Sequence, residues 1–432
     1  MNTEYRSQNT EVRINKILLF LSCILYLVSC ILPTVSEAKV YIDITSPAFK
    51  KFPIAIQELS GISGKEVSDI IKGDLEFTGI FEYIDSGAYI EDHSQPFNPQ
   101  SWKPLGVEAV LKGSVKEDQD LSVTIFLYDV LEGKEIFKKV YRTNKEFIRS
   151  LSHAISNDIY YALTGEKGVF RTRIAFVAKN EGKMGLYIMD WDGNRIIKLG
   201  PTGNIILPPR WSRDGTKLIY SAERNRQWGI YILDFVQLNE KKVFFSNGTN
   251  IVGDFFPSGN EFSFSSSKDG TPDIYIKDTK EDKIIKLTSS YSTDVSPAVS
   301  PDGKYIAFVS DRGGSPQIYI INKDGSDIRR LTFEGSYNTS PIWSPKGDRI
   351  AFVGRVGTNQ IFIIRPDGTE LLQLTTSGNN EDPSFSPDGR YITLSSDRDG
   401  SKGIYIMRAN GEYQKRITPK NIRAYGPRWS LD

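Results

Sequence analysis

The sequence has few of the side chains that most enzymes use for chemistry. Among 432 residues there are two histidines, His93 and His153, and two cysteines, Cys23 and Cys30. A histidine-based triad or a thiolate metal site would need more of these groups. Both cysteines precede residue 39, so disulfides cannot stabilise the rest of the chain. We therefore expect no catalytic residue, no metal ligand and no cofactor.

The chain also lacks an excess of charge of either sign. It carries 54 basic and 53 acidic residues, a formal net charge of +1. Such a balance provides no overall field to hold nucleic acid or an anionic membrane surface. The length exceeds that of one typical domain, and the composition is that of an ordinary globular protein. We predict two domains, a monomer, and no nucleic-acid partner.

No hydrophobic run is long enough for a permanent membrane span. Arg13 and Lys16 precede an apolar run over 17–32, which is shorter than the roughly 20 residues that cross a bilayer. Small residues then precede a cleavage position between Ala38 and Lys39. We interpret 1–38 as a secretory signal, after whose removal no membrane span would remain.

A second interpretation of the leader stays open. Leu27-Val28-Ser29-Cys30 also resembles a bacterial lipobox, the signal for attaching lipid to a cysteine. Lipidation at Cys30 would leave a tethered lipoprotein of the same fold. An intact mass that starts at Lys39 would exclude it.

A repeat of about 44 residues fills the chain after residue 168. Its glycine-containing turns are spaced by 44, 44, 44 and 42 residues, at Gly215, Gly259, Gly303, Gly347 and Gly389. A second marker, an aromatic residue after isoleucine or leucine, recurs at Tyr187, Tyr231, Tyr275, Tyr319, Phe362 and Tyr405. These markers define six units.

Each unit has the pattern of four short strands. Turn sequences such as Asp302-Gly303 separate strand-like runs, for example 305–310 and 317–321. The middle runs are almost continuously apolar, which is typical of a sheet covered on both faces. Four-stranded units of this length predict an all-β six-bladed β-propeller.

The two ends of the repeat predict how the ring closes. The first unit lacks its first strand, and Pro427-Arg428-Trp429-Ser430 repeats Pro209-Arg210-Trp211-Ser212 near the C-terminus. We expect the C-terminal strand to complete the first blade and remove the open edges. Trp211, Trp343 and Trp429 are then predicted to pack between blades.

The segment before the repeat lacks the 44-residue period and mixes helix and strand patterns. It therefore predicts a separate N-terminal α/β domain. We assign 1–38 to the signal peptide, 39–167 to this domain and 168–432 to the propeller. Strands are predicted at 109–115, 121–129 and 136–141.

Two helices are predicted in the N-terminal domain. Ser63 and Glu66 have the spacing of a capping box ahead of the first helix. Asn144 is a candidate cap for the second, whose apolar stripe of Phe147, Leu151, Ile155 and Ile159 should face the sheet. His153 lies off this stripe, so we expect it to face solvent.

The recurring polar residues favour turn chemistry over catalysis. Asp302, Asp388 and the Ser-Asp-Arg sequences at 310–312 and 396–398 repeat with the blades, whereas a single active site needs no copies. We interpret Asp190-Trp191-Asp192-Gly193-Asn194 as a hairpin turn. No nucleophile elbow or phosphate-binding loop is present in the sequence.

The loops that enter each first strand are the best candidates for binding. They open around the central channel and vary while the blade core repeats, and small polar groups and carboxylates there suit a peptide or protein loop. The candidate residues are Thr249, Asn250, Val252, Thr293, Asp294, Asn338, Thr339, Glu381, Asp382 and Tyr425. An alternative is a secreted lyase or glycan hydrolase that uses Asp294, Glu381 and Asp382 as an acid/base set.

The sequence resembles the TolB family of the Tol-Pal system along essentially all of the chain after residue 38. The most specific match is the junction Leu163-Thr164-Gly165-Glu166-Lys167-Gly168-Val169-Phe170-Arg171-Thr172-Arg173-Ile174-Ala175-Phe176, together with the leader, the α/β segment and six blades. Thr249 stands where some relatives carry histidine.

The resemblance implies a non-enzymatic adaptor in the periplasm. Its propeller mouth would bind the lipoprotein Pal, and the adaptor would support outer-membrane integrity and envelope constriction at cell division. The residues that follow cleavage resemble the part that binds TolA, here Lys39, Val40, Tyr41, Ile42, Asp43 and Ile44. Binding at the two places would be reciprocally coupled.

Overall fold

The structure is a computed structural model that describes residues 50–180 and 182–431. The predicted leader, the cleavage position between Ala38 and Lys39, and the predicted TolA-binding segment 39–44 lie outside these ranges. Within the described residues, no helix is both long enough and apolar enough to cross a membrane.

An α/β region comes first in the chain. Its elements are β1 (Phe52–Ile56), α1 (Gly64–Thr78), β2 (Phe81–Tyr83), α2 (Pro99–Trp102), β3 (Ala109–Glu117), β4 (Leu121–Asp129), β5 (Lys134–Thr143) and α3 (Ile148–Thr164). Three short 3-10 turns lie at Ser86–Ala88, Lys103–Leu105 and Lys145–Phe147. The three predicted strands correspond to β3, β4 and β5.

The strands of this region form one mixed sheet in the order β2-β1-β3-β4-β5. β1 is parallel to β2 and β3, and the other pairs are antiparallel. Along β4, buried residues alternate with partly buried ones, so one face is apolar. Helices α1 and α3 cover that face, and Trp102 fills a smaller core on the other.

The first helix forms as predicted, but its predicted capping box does not. The side chain of Ser63 makes no capping hydrogen bond. Its backbone N–H instead donates to the Glu117 carboxylate at 2.8 Å, which ties the start of α1 to β3. A contact between residues 54 positions apart replaces the local motif, because the sheet presents an acceptor there.

The second predicted helix forms as α3 but departs from the prediction at three residues. Leu151, Ile155 and Ile159 are buried as expected, but Phe147 lies in the preceding 3-10 turn and is 43% exposed. Asn144 makes no side-chain cap. His153, predicted to face solvent, is 2% exposed, because Asp74 of α1 and Asp192 of blade 1 lie on either side of its ring. That prediction was wrong.

Six blades follow, which confirms the predicted propeller. Five of them have four strands, and blade 2 has five, because β9 and β10 both pair with β11. Blade 1 contains β6 (Arg173–Asn180), β7 (Lys183–Asp190), β8 (Ile197–Gly203) and, from the end of the chain, β30 (Arg423–Trp429). Blade 2 contains β9 (Ile205–Ile206), β10 (Arg210–Trp211), β11 (Lys217–Arg224), β12 (Gln227–Asp234) and β13 (Asn239–Phe245). Blade 3 contains β14 (Asn250–Phe255), β15 (Glu261–Ser266), β16 (Asp273–Asp278) and β17 (Ile284–Lys286).

The other three blades repeat this plan. Blade 4 contains β18 (Asp294–Val299), β19 (Tyr305–Ser310), β20 (Gln317–Asn322) and β21 (Arg329–Arg330). Blade 5 contains β22 (Asn338–Trp343), β23 (Ile350–Val356), β24 (Thr358–Ile364) and β25 (Leu372–Gln373). Blade 6 contains β26 (Asn380–Phe385), β27 (Tyr391–Ser396), β28 (Gly403–Arg408) and β29 (Lys415–Arg416).

The ring closes through the C-terminal strand, as the sequence predicted. β30 pairs antiparallel with β6, and the Trp429 indole packs within the core. Before Pro427, Gly426 has φ +54 in the position that Ser296, Ser340 and Asp382 occupy in other blades. A Cβ there would come within 2.3 Å of Pro208 in blade 2, so only glycine fits.

The two faces of the propeller carry different connections. We call the face with the loops that enter each first strand the mouth face, and the opposite face, with the tight turns, the turn face. The α/β region packs on the turn face at blades 1 and 6. The Phe77 ring lies 4.8 Å, between centroids, from both Trp191 and Tyr391, so one continuous aromatic core joins the two parts.

Candidate functional site

In four of the six blades, the first strand begins at the mouth face with a buried polar residue. Asn250, Asp294, Asn338 and Asn380 occupy equivalent places in four successive blades and are 0 to 4% exposed. The Asn338 amide donates to Gln317 and to the Glu334 carbonyl, both at 2.8 Å. These residues hold the entering loops to their blades.

Asp294 illustrates the structural role of this position. Its carboxylate is fully buried and receives two hydrogen bonds from the guanidinium of Arg312, at 2.9 and 3.1 Å. Arg398 makes the equivalent bond to Asn380 at 2.6 Å in blade 6. The recurring Ser-Asp-Arg sequences therefore fasten each hairpin loop to the inner strand of its own blade, as turn chemistry would require.

Six of the ten predicted binding residues reach the surface of the mouth. Asn250, Val252, Asp294 and Asn338 are buried behind the rim. The six with exposed or partly exposed side chains are Thr249, Thr293, Thr339, Glu381, Asp382 and Tyr425. The three threonines come from blades 3, 4 and 5, so they are distributed over half of the ring.

Glu381 and Tyr425 are brought together by a shared lysine. Lys402 forms an ion pair with Glu381 and also lies 5.8 Å from the centre of the Tyr425 ring. Glu381 further accepts from Asn359 at 3.0 Å and Asn379 at 3.2 Å. Its carboxylate is therefore oriented by three donors.

The three carboxylates predicted for the enzyme alternative each have a separate partner. Asp294 pairs with Arg312, Glu381 pairs with Lys402, and Asp382 accepts from the Ser395 hydroxyl at 3.2 Å. A glycoside hydrolase needs two carboxyl groups facing one substrate bond. Asp294 is fully buried and out of reach of a substrate, and Glu381 and Asp382 are each held by a different partner.

Apolar side chains at the rim were missed in the sequence. Tyr291 and Phe333, in the loops that enter blades 4 and 5, are 103% and 73% exposed, and Val356 in a hairpin of blade 5 is 60% exposed. Arg330 lies over the Phe333 ring at 5.0 Å. The available signal was an aromatic residue inside an otherwise polar loop. Large exposed aromatics are the typical anchors of protein interfaces.

The inner wall between blades carries buried charge. Arg428 is 5% exposed and donates to two backbone carbonyls, those of Pro427 at 2.7 Å and Asp382 at 3.2 Å. Burial, reinforced by nearby Arg210, lowers the pKa of Arg428 to about 9, against the attraction of Asp382 and Asp254. Blade 2 and blade 3 are joined beside it by an Arg210–Asp254 ion pair at 2.7 Å.

Three buried or partly buried titratable side chains of the described residues gather away from the mouth. Asp74, His153 and Asp192 place ligand atoms within 4.8 Å of one another. They lie where the α/β region meets the turn face, between α1, α3 and the turn after β7. The mouth and this cluster are therefore two distinct features of the molecule.

The architecture and the sequence match one known family in both parts of the chain. The model of the TolB amino-terminal domain matches residues 40–136, and that of the TolB β-propeller domain matches residues 160–432. The crystal structure of TolB from Acinetobacter baumannii superposes with a TM-score of 0.79 at 27% identity. The superposition covers 91% of this chain and 100% of the Acinetobacter baumannii chain.

Curated relatives give the same result over a shorter segment. The Tol-Pal system protein TolB of Dechloromonas aromatica is 34% identical over 190 residues, which is 43% of this chain and 45% of that protein. The protein of the same name from Polaromonas naphthalenivorans is 32% identical over 194 residues, 44% of this chain and 45% of the relative. The matched part of this chain thus spans about half the length of each of these relatives. On the family models, which cover more than half of it, the chain belongs to the TolB family.

Proposed function

We propose that this protein is a non-enzymatic periplasmic adaptor of a Tol-Pal system, which binds Pal at the propeller mouth and TolA through residues 39–44. In this role it maintains outer-membrane integrity and supports envelope constriction during cell division. The observation that carries the proposal is the rim of the mouth in a chain of this family. There, Tyr291 and Phe333 present their rings to solvent beside the polar residues predicted for binding.

The rim has the composition of a protein-binding surface. Exposed aromatics supply large apolar area at little cost in side-chain entropy, and polar neighbours exclude water around them. Thr249, Thr293 and Thr339 form such a polar surround, and Glu381, Asp382 and Tyr425 extend it through blades 6 and 1. Asn250, Val252, Asp294 and Asn338 support the loops from behind, so their contribution to Pal binding is indirect.

The proposed TolA contact rests on the sequence of the segment itself. Residues Lys39, Val40, Tyr41, Ile42, Asp43 and Ile44 alternate in polarity like a strand with one apolar face. A short free strand can add to the edge of another protein's sheet. Cleavage between Ala38 and Lys39 in the periplasm would free it for this purpose.

The decisive experiment is a calorimetric titration of the purified protein with the soluble domain of Pal from the same organism. We expect saturable one-to-one heat. Tyr291→Ala combined with Phe333→Ala should weaken binding by about 30-fold or more, the size of an interface hot spot. Leu238→Ala is the matched control, because Leu238 is 86% exposed at a turn on the opposite face.

Three results would contradict the Pal proposal. They are the absence of binding by folded wild-type protein, unchanged affinity of the rim variant, or an equal loss in Leu238→Ala. The TolA contact is tested separately by a chain that starts at Thr45. This chain should lose TolA binding and keep Pal binding, whereas retained TolA binding would remove residues 39–44 from the proposal.

A further inference from the structure

A buried histidine lies between two carboxylates that come from the two parts of the molecule. The Nδ1 atom of His153 on α3 is 2.8 Å from the Asp74 carboxylate on α1. Its Nε2 atom is 3.6 Å from the carboxylate of Asp192, which lies in the turn after β7 of blade 1. The side chains of His153 and Asp74 are each 3% exposed, and that of Asp192 is 14% exposed.

This cluster is a bridge rather than a chelate. The two carboxylates approach different nitrogens of one ring, and these nitrogens point in diverging directions. A single metal ion therefore cannot be bound by the ring and both carboxylates together. Arg149 on α3 already forms an ion pair with the same Asp192 oxygen and occupies that position with a positive charge. The chemistry left to this cluster is the gain or loss of a proton by the His153 imidazole.

The neutral and charged forms of the ring hold the two parts differently. A neutral imidazole has one N–H group. With that hydrogen on Nδ1, directed at Asp74, the Nε2 lone pair faces the Asp192 carboxylate. Among residues 50–180 and 182–431, the buried Nε2 atom has no hydrogen-bond partner. In the charged form, a second N–H on Nε2 can donate to Asp192, which adds attraction between α3 and blade 1.

The charged groups that surround the ring come from every element packed against it. α1 contributes Asp74, α3 contributes Arg149, and the turn of blade 1 contributes Asp192. Burial raises the pKa of Asp74, although His153 opposes it. Burial would also raise the pKa of Asp192, but the hydrogen bond and charge of Arg149 bring it below its ordinary value.

The neighbouring cleft adds further charges at a greater distance. It is lined by Lys65, Glu66 and Asp69 from α1 and by Lys415 from blade 6. These side chains carry charges of both signs. The Asp192 carboxylate, kept ionised by Arg149, is thus the acceptor available to a proton on Nε2.

We infer that His153 is a pH-sensitive contact between the α/β region and the propeller, which tightens when the imidazole is protonated and loosens when it is neutral. Imidazole is the side chain whose unperturbed charge changes between about pH 5 and 8. The inference goes beyond the proposed function, because it concerns how the two parts are joined and does not depend on what binds the mouth.

Docking of the two parts can be measured with one fluorescent label on each. Lys116→Cys on β3 and Lys242→Cys on β13 place labels at exposed positions, in a background with Cys23→Ser and Cys30→Ser. Energy transfer is recorded at pH 5.5 and pH 8.0 in urea just below the unfolding transition. We expect the undocked fraction to rise by about fivefold or more from pH 5.5 to pH 8.0, the lower end of typical coupling energies.

Three variants assign the effect to the cluster. His153→Asn and Asp192→Asn should each reduce the pH dependence to less than about twofold, below the usual range of coupling. His93→Asn is the matched control, since His93 is the other histidine of the chain and lies on the surface. It should keep the wild-type response.

The same inference can be tested without any substitution in the cluster. The chain has two histidines, so labelled-histidine NMR yields two resonances to follow with pH. The His153 resonance should titrate over the pH range in which docking changes. A wild-type docking equilibrium that is equal at both pH values, tighter docking at pH 8.0, or an undiminished response in folded His153→Asn would each overturn the inference.

Discussion

The indole N–H of Trp429 in the last strand donates to the hydroxyl of Thr172, 257 positions earlier in the chain, at 2.7 Å. Thr172 immediately precedes β6, so this bond fastens the final strand to the start of the propeller. The Trp429 backbone N–H also donates to Ser384 of blade 6 at 3.1 Å. One residue therefore joins the last blade, the first blade and the segment that leads into the ring.

We predict that Trp429→Ala opens the ring at this point. Loss of a buried tryptophan should lower the free energy of unfolding by about 3–5 kcal/mol. Trp343→Ala, in the same position of blade 5, is the control for packing without closure. Hydrogen exchange should accelerate along β6 in Trp429→Ala but not in Trp343→Ala. Slow exchange of β6 in both variants would show that closure does not depend on this side chain.

Gly426 is predicted to be intolerant of even a methyl group. Gly426→Ala combines a left-handed backbone with a contact against Pro208, so we expect a loss of about 2 kcal/mol or more in unfolding free energy. Gly400→Ala is the matched control, because Gly400 also has positive φ but open space around it. Urea unfolding should separate the two, and equal losses would mean that the Pro208 contact is relieved at no cost.

Arg312→Ala should destabilise blade 4 strongly. The variant leaves the fully buried Asp294 carboxylate without its guanidinium partner, which costs about 3 kcal/mol for a buried pair. Combining it with Asp294→Asn removes the unpaired charge and should restore part of the loss. Urea unfolding of the single and double variants measures this coupling. A double variant less stable than Arg312→Ala would contradict the assigned role of the pair.

The turn aspartates predict sensitivity to acid. Asp214, Asp324 and Asp367 each accept a hydroxyl hydrogen bond at 2.6 or 2.8 Å, and these bonds lower the pKa of each carboxyl. Because the folded pKa lies below the unfolded value of about 3.9, the stabilisation is present above that pH. It is lost as the pH falls through the folded pKa values.

The measurement is the urea midpoint of unfolding between pH 5 and pH 2. The midpoint should fall towards acid. Asp324→Asn keeps an oxygen acceptor but does not titrate, so its midpoint should fall less steeply than that of the wild type. Asp388 contributes with the opposite sign, because burial raises its pKa. A midpoint that rises towards acid would contradict the prediction.

The propeller follows from the sequence because its information is local and repeated. Each turn glycine, such as Gly303 with φ +72, fixes one connection, and the apolar runs fix the strands between them. The closing strand can also be predicted from the sequence, because Trp429 and Trp211 occupy matching positions in two copies of one motif. A turn or strand assigned to the wrong blade would have interrupted the regular spacing of about 44 residues.

The mouth could be located from sequence, but not divided into rim and support. Asn250, Asp294 and Asn338 repeat at a fixed spacing. Recurrence with the blades also identified the turn aspartates as structural residues. Their burial follows from packing against neighbouring strands, and no local pattern records it. The exposure of Tyr291 and Phe333 had a local signal, an aromatic residue inside an otherwise polar loop, but only the structure shows that both rings face solvent.

The sequence by itself determined the number of blades, the two-part organisation and the family. Only the tertiary structure decided what surrounds His153. Its partners Asp74 and Asp192 lie on another helix and in a blade turn, and docking of the α/β region against blade 1 brings all three together. Periodicity reports one element at a time, whereas burial and ionic contact depend on which elements meet.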